Sequence, residues 1–357
     1  MAATPQTTFD FTLGDIDPRI SFVRATNSPS TGDAGLSYGY GIIHARNYSS
    51  IVRDIIAGHG WHATDVSRGQ MHIVYDNVVS SRNGYGCSTH EGCWHATWRN
   101  CSFRGKHGIL AGRCAFPTIE NCKFIDTRTH GISYGQLNVE VVIRGNTFDI
   151  QNAAYVTTSA VYRDAAAGEP GAGSKSVGYG RLFVMEGNSF YGHHLIQAGF
   201  ATATNKAGSL IVRNNFLRKS QFSDVRSLTT TIIEGNVFDV VSDQFGIVIR
   251  QVDTDTSLAI KGNIETGGFT TAGPSFIYLD GTGSPNRSLI KSNETTETLL
   301  RMNYAVTLDE VSNNSARGRI LLGSNTQTVK NKINNLQGVV DYQTTVTTSA
   351  NNTVMTL

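Results

Sequence analysis

The stretch IRGNTF at residues 143–148 returns as MEGNSF at residues 185–190 and as IEGNVF at residues 233–238. Each copy reads apolar residue, any residue, turn residue, Asn, any residue, apolar residue. Looser copies keep this frame and carry Asn, Cys or Asp at the fourth position: Asp54, Asn77, Cys101, Cys122, Asn214, Asn263, Asn293 and Asn314. A repeat of roughly twenty residues, built from short apolar strands and Gly/Asn turns, is typical of a parallel β-solenoid.

The fourth position of the repeat has a physical role in such a fold. Each coil of a solenoid lies about 4.8 Å above the last, so equivalent positions form a file. An Asn in that file can hydrogen-bond its neighbours above and below inside a tight turn. The sequence therefore predicts an all-β parallel solenoid of about a dozen coils. Its file of inward side chains comprises Asn77, Cys101, Cys122, Asn146, Asn188, Asn214 and Asn236.

The repeat also sets the predicted domain boundaries. Residues 1–45 lack it and are interpreted as an N-terminal cap with an irregular first coil. Residues 46–335 form the predicted solenoid. Within it, residues 153–180 are Gly/Ala-rich, so we interpret them as one long loop insertion without a strand. Residues 336–357 are interpreted as a C-terminal cap or the start of a further region.

Charge and composition exclude several classes of partner. The 30 basic and 28 acidic residues leave a formal net charge of +2, so neither nucleic acid nor an anionic membrane is an expected partner. No apolar run has the length of a membrane helix, and the first residues do not resemble a secretory signal. We expect no cofactor, no membrane insertion, and an extracellular place reached without a signal, such as the tail of a virion released by lysis.

All five cysteines lie between residues 87 and 122. An odd number in so short a stretch argues against a disulfide framework. Cys101 and Cys122 share the fourth position of the repeat, so we expect them to stack as small buried thiols. The cysteine spacing lacks the close pairs of a zinc site, so no metal is expected.

A second file is predicted five to eight residues after the fourth position of the repeat. It comprises His59, Asn83, His107, His130 and the pair His193 and His194. Several of these residues are followed by Gly, which lets the chain turn. Stacked imidazoles offer hydrogen-bond donors and acceptors near neutral pH. The file is either a functional edge of the rod or a ladder that closes a turn and binds only water.

Most histidines and all three tryptophans fall on the second to fifth coils. We therefore predict a polysaccharide groove in that region. Its predicted substrate-binding residues are Trp61, His62, His90, Trp94 and Tyr134. Its predicted catalytic residues are Asp65, Glu91, His107, Arg113, Asp126 and His130. Trp61 and Trp94 either stack on sugar rings or belong to the core.

Two reaction types can use this set of residues. A glycosidase needs two carboxyl groups about 5–9 Å apart, and Asp65, Glu91 and Asp126 lie on neighbouring coils. Glu91 is the leading candidate for the acid or nucleophile because it follows the longest turn of the region and has His90 beside it. Hydrolysis by a carboxylate pair is therefore the first hypothesis for cleavage.

A polysaccharide lyase is the second hypothesis. It needs a base and a cation that neutralises the carboxylate of a uronate. His107 and Tyr134 can supply the base, and Arg113 can supply the cation. A surface that only binds glycan is the third possibility, and it needs none of these groups to react.

Over about residues 46–335 the coil pattern resembles the right-handed parallel β-helix of the pectate-lyase-like superfamily. The richness in Thr, Ser, Asn and Gly and the missing signal resemble the tailspike and tail-fibre proteins of bacteriophages. This resemblance implies a homotrimer that binds, and depolymerises, a bacterial surface polysaccharide such as a capsule, an exopolysaccharide or an O-antigen. The alternatives are a non-catalytic glycan-binding fibre or adhesin and a secreted polysaccharide lyase or hydrolase.

A narrower resemblance concerns the stretch THGISYG at residues 129–135. It is similar to the Gly-His-Gly-Ile-Ser segment of polygalacturonases. The chain has no Asn-Thr-Asp, no adjacent Asp-Asp and no Arg-Ile-Lys segment. The polygalacturonase acid and base residues therefore find no counterpart here, and only His130 aligns.

The resemblance to phage spikes predicts three-fold assembly. Light scattering of the purified protein at micromolar concentration should give three times the mass of the 38.6 kDa chain. A monomer mass for the full-length protein would contradict this expectation.

Overall fold

The computed structural model forms two compact units, Met1–Tyr179 and Gly180–Leu357. They are described separately as unit 1 and unit 2. In unit 1 the described residues are 9–10, 40–45, 48–58, 62–68, 71–89, 93–112, 114–135, 138–150 and 159–163. In unit 2 they are 180–192, 194–199, 208–226, 229–241, 245–250, 256–270, 275–280, 285–302, 307–316, 319–322, 327–335, 338–339, 344–346 and 353–356.

Unit 1 consists of short strands that pair in parallel from one coil to the next. They are β1 (Phe9–Asp10), β2 (Tyr40–Ala45), β3 (Ser50–Gly58), β4 (His62–Arg68), β5 (Ile73–Thr89), β6 (Cys93–Arg99), β7 (Ser102–Leu110), β8 (Cys114–Glu120), β9 (Lys123–Ile125), β10 (His130–Tyr134), β11 (Glu140–Arg144), β12 (Thr147–Asp149) and β13 (Ser159–Arg163). The register keeps equivalent residues in file, as in the series Tyr75, Trp98, Ile119 and Ile143.

Unit 2 repeats the same arrangement. Its strands are β14 (Leu182–Glu186), β15 (Ser189–Tyr191), β16 (Leu195–Ala198), β17 (Ser209–Arg213), β18 (Phe216–Arg218), β19 (Gln221–Arg226), β20 (Thr230–Glu234), β21 (Val237–Asp239), β22 (Phe245–Arg250), β23 (Ser257–Lys261), β24 (Ile264–Glu265), β25 (Ser275–Asp280), β26 (Arg287–Lys291), β27 (Thr298–Met302), β28 (Thr307–Asn314), β29 (Arg319–Leu322), β30 (Gln327–Asn335), β31 (Gly338–Val339), β32 (Thr344–Val346) and β33 (Thr353–Thr356). The last three strands pair antiparallel, β31 and β32 with β30 and β33 with β29.

The parallel solenoid predicted from the repeat is confirmed, and the expected number of about a dozen coils differs little from the described number. None of the described residues forms a helix that could cross a membrane. The core lies inside the coils, where apolar side chains alternate with outward ones along each strand. Phe103, Phe124 and Phe148 stack in this core with ring centroids 5.2 and 4.6 Å apart.

Each coil turns at one residue with a positive φ angle, and the next residue points inward. The turning residues are Asp54, Asn77, Asn100, Asn121 and Gly145 in unit 1, and Gly187, Asn214, Gly235, Gly262, Ser292 and Asn313 in unit 2. The inward residues that follow are Ile55, Val78, Cys101, Cys122 and Asn146 in unit 1, and Asn188, Asn215, Asn236, Asn263, Asn293 and Asn314 in unit 2. Gly is common at the turning position because it adopts positive φ without steric cost.

Two members of the predicted inward file, Asn77 and Asn214, are therefore misplaced by one residue. Asn77 is exposed and has φ 54°, and the inward position belongs to Val78. At Asn214 the inward position belongs to Asn215, which is 1% exposed. The reason is that Asn, like Gly, tolerates the left-handed conformation, so an Asn can occupy either position of the turn.

The inward Asn residues of unit 2 form a continuous hydrogen-bonded ladder. The backbone N and Nδ2 atoms of Asn215 both donate to Oδ1 of Asn236, at 3.0 and 2.9 Å. Asn236 donates in the same way to Asn263, at 3.1 and 2.8 Å, and its Nδ2 also reaches the Val212 carbonyl at 3.1 Å. The pattern runs from Asn188 to Asn314, so each amide group satisfies backbone groups that the turn would otherwise leave buried and unpaired.

Unit 1 uses a different chemistry at the same positions. The backbone N of Cys122 donates to Oδ1 of Asn146 at 2.9 Å, which starts the pattern. Cys101 and Cys122 are both buried, and their thiols donate to backbone carbonyls. The predicted stack of two buried thiols is confirmed. Burial is the main cause that raises the pKa of Cys122, so its thiol stays protonated.

Charged side chains occupy the position directly before every one of these turning residues except Asn313, which follows Ser312, and their signs alternate over most of each file. The file reads Arg53, Asp76, Arg99, Glu120 and Arg144 in unit 1, and Glu186, Arg213, Glu234, Lys261 and Lys291 in unit 2. Representative N–O distances are 2.9 Å between Arg99 and Asp76 and 2.8 Å between Lys261 and Glu234. The alternation ends at Lys261 and Lys291.

The stretch interpreted as a strandless insertion contains a strand. β13 occupies Ser159–Arg163, and Ala160 and Val161 in it are fully buried. Its residues pair with β10. The Ala-rich composition hid this strand because Ala has a low β-propensity, while its small side chain fits the core. The remaining residues of 153–180 lie outside the described part, apart from Gly180.

Substitution of Asn236 by Leu should lower the free energy of unfolding by about 1–3 kcal/mol, because the Asn215 amide and the Val212 carbonyl lose their partners while remaining buried. Denaturant unfolding followed by circular dichroism measures this loss. The matched control is Asn286→Leu at an exposed position of the same unit, which should shift stability by less than about 0.5 kcal/mol. Equal losses in both variants would contradict a structural role for the ladder.

Candidate functional site

Five rings from five strands of unit 1 stack on one another. They are His62, Tyr85, His107, His130 and Tyr162, with successive centroid distances of 4.9, 4.5, 5.4 and 4.0 Å. We call this set the ring ladder. Successive planes are within 11° of parallel except between His107 and His130, where the angle is 44°. Most ring faces are therefore covered by a neighbouring ring.

The glycine that follows a ladder ring explains the recurrent His-Gly pair in the sequence. A Cβ atom on Gly108 would lie 2.6 Å from Cδ1 of Phe124, and one on Gly131 would lie 2.8 Å from Cε1 of Phe148. Glycine is required because the core phenylalanine occupies the inward space at this residue. Since neighbouring residues of a strand point to opposite faces, the preceding His side chain points away from that phenylalanine.

The ring ladder corrects part of the predicted histidine file. His107 and His130 stack as predicted. The position assigned to Asn83 belongs to Tyr85, two residues later, because β5 has a register shift between Ser81 and Asn83. His62 and Tyr162 complete the ladder within unit 1, while His59 and His193 lie outside the described residues. His194 belongs to unit 2, where it is buried and its Nε2 lies 3.0 Å from the Tyr191 carbonyl.

Two predicted substrate-binding residues are out of reach of a polysaccharide. Tyr134 is fully buried and faces the core, and His62 is 1% exposed. Ser88 Oγ lies 2.9 Å from Nδ1 of His62, which is a structural contact. Burial excludes Tyr134 as the base of the predicted lyase site, whereas His107 as the base and Arg113 as the cation stay predictions. Burial of both side chains follows from core packing at the ends of β4 and β10, which the turn-centred sequence pattern did not indicate.

The remaining predicted groove residues are only partly described. Asp126 is 7% exposed and its Oδ2 accepts from Nη2 of Arg104 at 3.1 Å. The backbone of Asp65 pairs with that of Ser88. Other predicted members lie outside the described residues: Trp61, His90, Glu91 and Arg113. Their roles remain predictions.

A second aromatic group of unit 1 lies near the first residues of β5, β6 and β8. His72, His95 and Phe116 stack with centroid distances of 4.7 and 4.6 Å and interplanar angles of 7° and 18°. Trp94 lies across this stack, at 67° to Phe116 and 5.2 Å from its centroid. Tyr48 contacts His72 edge-on at 64°. We call these five residues the aromatic patch.

Exposure distinguishes the aromatic patch from the ring ladder. Trp94 is 51% exposed and Tyr48 is 72% exposed. Because both rings are turned out of the stacking direction, their faces are not covered by the rings below them. An exposed, rigidly supported indole is the ordinary platform for the apolar C–H face of a sugar ring. Of the two alternatives for Trp94, core residue or exposed ring, the structure shows the exposed ring.

The electrostatics of the patch are set by His95. Burial is the main cause that lowers the pKa of His95, and the nearby His72 acts in the same direction, whereas Glu140 opposes them. His95 is therefore neutral at neutral pH and has one donor and one acceptor nitrogen. Among the residues that the structure describes, no group of three or more His, Cys, Asp or Glu side chains could hold a metal ion.

Unit 2 carries a charged and aromatic surface on β19, β22, β25 and β27. Oδ1 of Asp224 lies 2.9 Å from Nε of Arg226 and 3.9 Å from Nε of Arg250. Nη1 of Arg250 donates to Oδ2 of Asp280 at 2.8 Å. A further group on this surface comprises the stacked rings of Phe245 and Tyr278, 4.3 Å apart, and the guanidinium group of Arg301. We call these seven residues the arginine face.

The sequence reasoning missed both the supporting rings of the patch and the whole arginine face. The signal that could have found them is the coil period itself. His72 lies one coil before His95, and Phe116 lies one coil after it. In the same way Arg301 lies one coil after Tyr278. The coil period that aligns the inward Asn residues therefore also aligns these outward residues, one on each coil.

One family model matches the chain, over residues 40–217, and it describes a right handed beta helix region. The chain is a right-handed β-helix protein. No curated protein and no solved structure matches it significantly. The predicted fold class and handedness are thus confirmed. This fold is common to polysaccharide-active enzymes and to adhesins.

Substitution of His95 by Phe should make the β-helix protein less sensitive to acid. The lowered pKa means that folded His95 resists protonation, whereas unfolded His95 takes up a proton as the pH falls through about 6.5. His95 therefore lowers stability below that pH and has no such effect above it. Denaturant midpoints at pH 7 and pH 5 should fall less in the variant than in the wild type. An equal fall in both proteins would contradict the assignment.

Proposed function

We propose that this β-helix protein recognises a bacterial surface polysaccharide as the host-recognition spike of a bacteriophage. The observation that carries the proposal is the exposed face of Trp94, held across a stack of three rings. A β-helix that only needed to be stable would bury such a ring or stack it in file. About half of Trp94 is instead exposed to water. This exposure costs free energy unless a ligand covers the ring.

The spacing of the patch suits an extended sugar chain. Tyr48 contacts His72, and Trp94 contacts His95 on the next coil. Adjacent coils are about 4.8 Å apart, close to the length of one sugar residue in an extended polysaccharide. Because Tyr48 and Trp94 lie two coils apart, a chain lying along the coils can place one sugar residue against each ring, with one sugar residue between them. The carboxylate of Glu140, at the start of β11, and the neutral ring of His95 can accept hydrogen bonds from sugar hydroxyl groups.

Replacement of Trp94 by Ala should weaken polysaccharide binding about tenfold, since a stacked ring contributes roughly 1–1.5 kcal/mol. The assay is biolayer interferometry on immobilised capsule, exopolysaccharide and O-antigen preparations. Trp94→Phe should retain part of the affinity. The control is Ile56→Ala, because Ile56 is an apolar residue of the same unit that is 75% exposed and lies outside the patch. Equal binding by the Trp94→Ala variant and the wild type would refute the patch as the site.

The spike identity includes a homotrimer and a place at the virion tail. Its support is the richness in Thr, Ser, Asn and Gly, which resembles that of phage spikes, together with the β-helix fold and the exposed aromatic patch. A non-catalytic fibre or adhesin and a secreted polysaccharide lyase or hydrolase remain the alternatives, and they share the same binding surface.

Cleavage of the bound polysaccharide is a second candidate function, and one observation favours it. Asp224 and Asp280 both lie on the guanidinium group of Arg250. Because the Nε and Nη1 atoms of this rigid group are about 2.3 Å apart, the two carboxylate oxygens are at most about 9 Å apart. This upper bound is compatible with the spacing of glycosidase carboxylate pairs. Glu91 and Asp65 remain candidates for the same role.

Asp224→Asn and Asp280→Asn should each reduce the release of new reducing ends by about a hundredfold or more if the pair hydrolyses the chain. The control is Asp239→Asn, which removes a carboxylate from another ion pair of unit 2, 3.4 Å from Arg218. Ultraviolet absorption by an unsaturated uronate would instead indicate a lyase. Polysaccharide that binds but keeps its length with the wild-type protein would show that the function is binding alone.

A further inference from the structure

The arginine face of unit 2 contains three arginines in two different states. Arg226 and Arg250 are neutralised, because Arg226 forms an ion pair with Asp224 and Arg250 donates to Asp280. The side chain of Arg301 makes neither an ion pair nor a hydrogen bond with any residue that the structure describes. Its five N–H donors are therefore not used by the described part of the chain.

Arg301 is nevertheless held in place. Its guanidinium carbon lies 5.9 Å from the ring centroid of Phe245 and 5.9 Å from that of Tyr278. Tyr278 is its direct neighbour on the preceding coil, and the two rings stack within 13° of parallel. Cation–π attraction fixes a guanidinium group while leaving its N–H edge for another partner. An arginine positioned in this way is pre-organised to bind a planar anion.

We propose that the arginine face binds the carboxylate of an acidic sugar residue, with Arg301 as the recognising group; this inference rests on the proposed function as a polysaccharide-binding protein. The carboxylate of a uronic acid matches the fork of N–H donors in a bidentate pair. The adjacent hydroxyl of Tyr278 and the carboxylates of Asp224 and Asp280 are suited to the sugar hydroxyl groups. The polysaccharide selected by this surface is thus acidic and not neutral.

The charge of the surface also argues for a single carboxylate as the ligand group. Three arginines and two aspartates leave one positive charge, and that charge lies on Arg301. A polyanion such as nucleic acid would need a broad basic stripe, whereas the whole chain has a formal net charge of only +2. The single uncompensated guanidinium group, that of Arg301, lies beside two aromatic rings and the hydroxyl group of Tyr278. This arrangement fits one acidic sugar residue in a polysaccharide chain.

The test compares each polysaccharide with its own carboxyl-reduced form. Capsule and exopolysaccharide preparations, alginate and polygalacturonate are immobilised native and after chemical reduction of their carboxyl groups to primary alcohols. The wild-type protein should bind at least one native acidic polysaccharide about tenfold or more tightly than its reduced form at low salt. This advantage should shrink as salt is raised, because screening weakens an exposed charge pair.

Arg301→Gln should remove the preference for the native form and leave binding to the reduced form unchanged, which also shows that the variant is folded. Arg301→Lys should keep part of the preference, because it keeps the charge and loses the fork. The matched control is Arg287→Gln, which removes an exposed arginine of the same unit on β26 and should change nothing.

The outcomes separate the inference from the function on which it rests. If native and reduced polysaccharides bind equally well and Trp94→Ala still weakens binding, the acidic-sugar site is wrong and polysaccharide recognition stands. Equal losses from Arg301→Gln and Arg287→Gln would show general charge attraction and would also overturn the site. If the wild-type protein binds no polysaccharide in either form, the proposed function fails and the inference fails with it.

Discussion

The structure depends on one backbone constraint: each coil must turn at a residue that accepts positive φ, and the residue after it must fill the inside of the turn. In unit 2 an Asn side chain fills that space and hydrogen-bonds the next coil through both its amide nitrogen and its backbone nitrogen. In unit 1 apolar side chains and thiols fill it at four coils, and Asn146 fills it at the fifth. Because the constraint recurs in every coil, equivalent residues lie directly above one another, and this determines which side chains can interact.

Stacking in file has a consequence for function. A ring that stacks on its neighbours has both faces covered, as in the ring ladder from His62 to Tyr162. Such rings stabilise the coils of unit 1, and only their edges can face the solvent. Side chains that depart from the file or end it are therefore the ones that can present a ring face or N–H donors to a ligand. Trp94 departs from it by crossing the stack of His72, His95 and Phe116. Arg301 follows two stacked rings, and its N–H donors are not used by the described residues.

The fold could be predicted from the sequence because Gly-Asn turns are nearly unambiguous: Gly takes the left-handed position and Asn the inward one. The copies at Asn77 and Asn214 were misaligned because Asn suits both positions, and local sequence contains nothing that separates the two. The site was harder to predict. Density of His and acidic residues pointed to a groove around residues 61–134, but Tyr134 and His62 are buried there. The exposed members of the patch and of the arginine face are few and belong to different coils, so composition does not indicate them, whereas their register does.

The alternating charges at the edge of each unit affect how such a chain can change its length. A positive residue stands above a negative one from Asp76 to Arg144 and from Glu186 to Lys261. Loss or duplication of a single coil would bring two like charges together, whereas a change of two coils would preserve every pair. Each exposed pair contributes only about 0.2–1 kcal/mol, so the bias is small at any one coil. Summed over these three consecutive pairs in each file, it favours growth and shortening of a unit in steps of two coils.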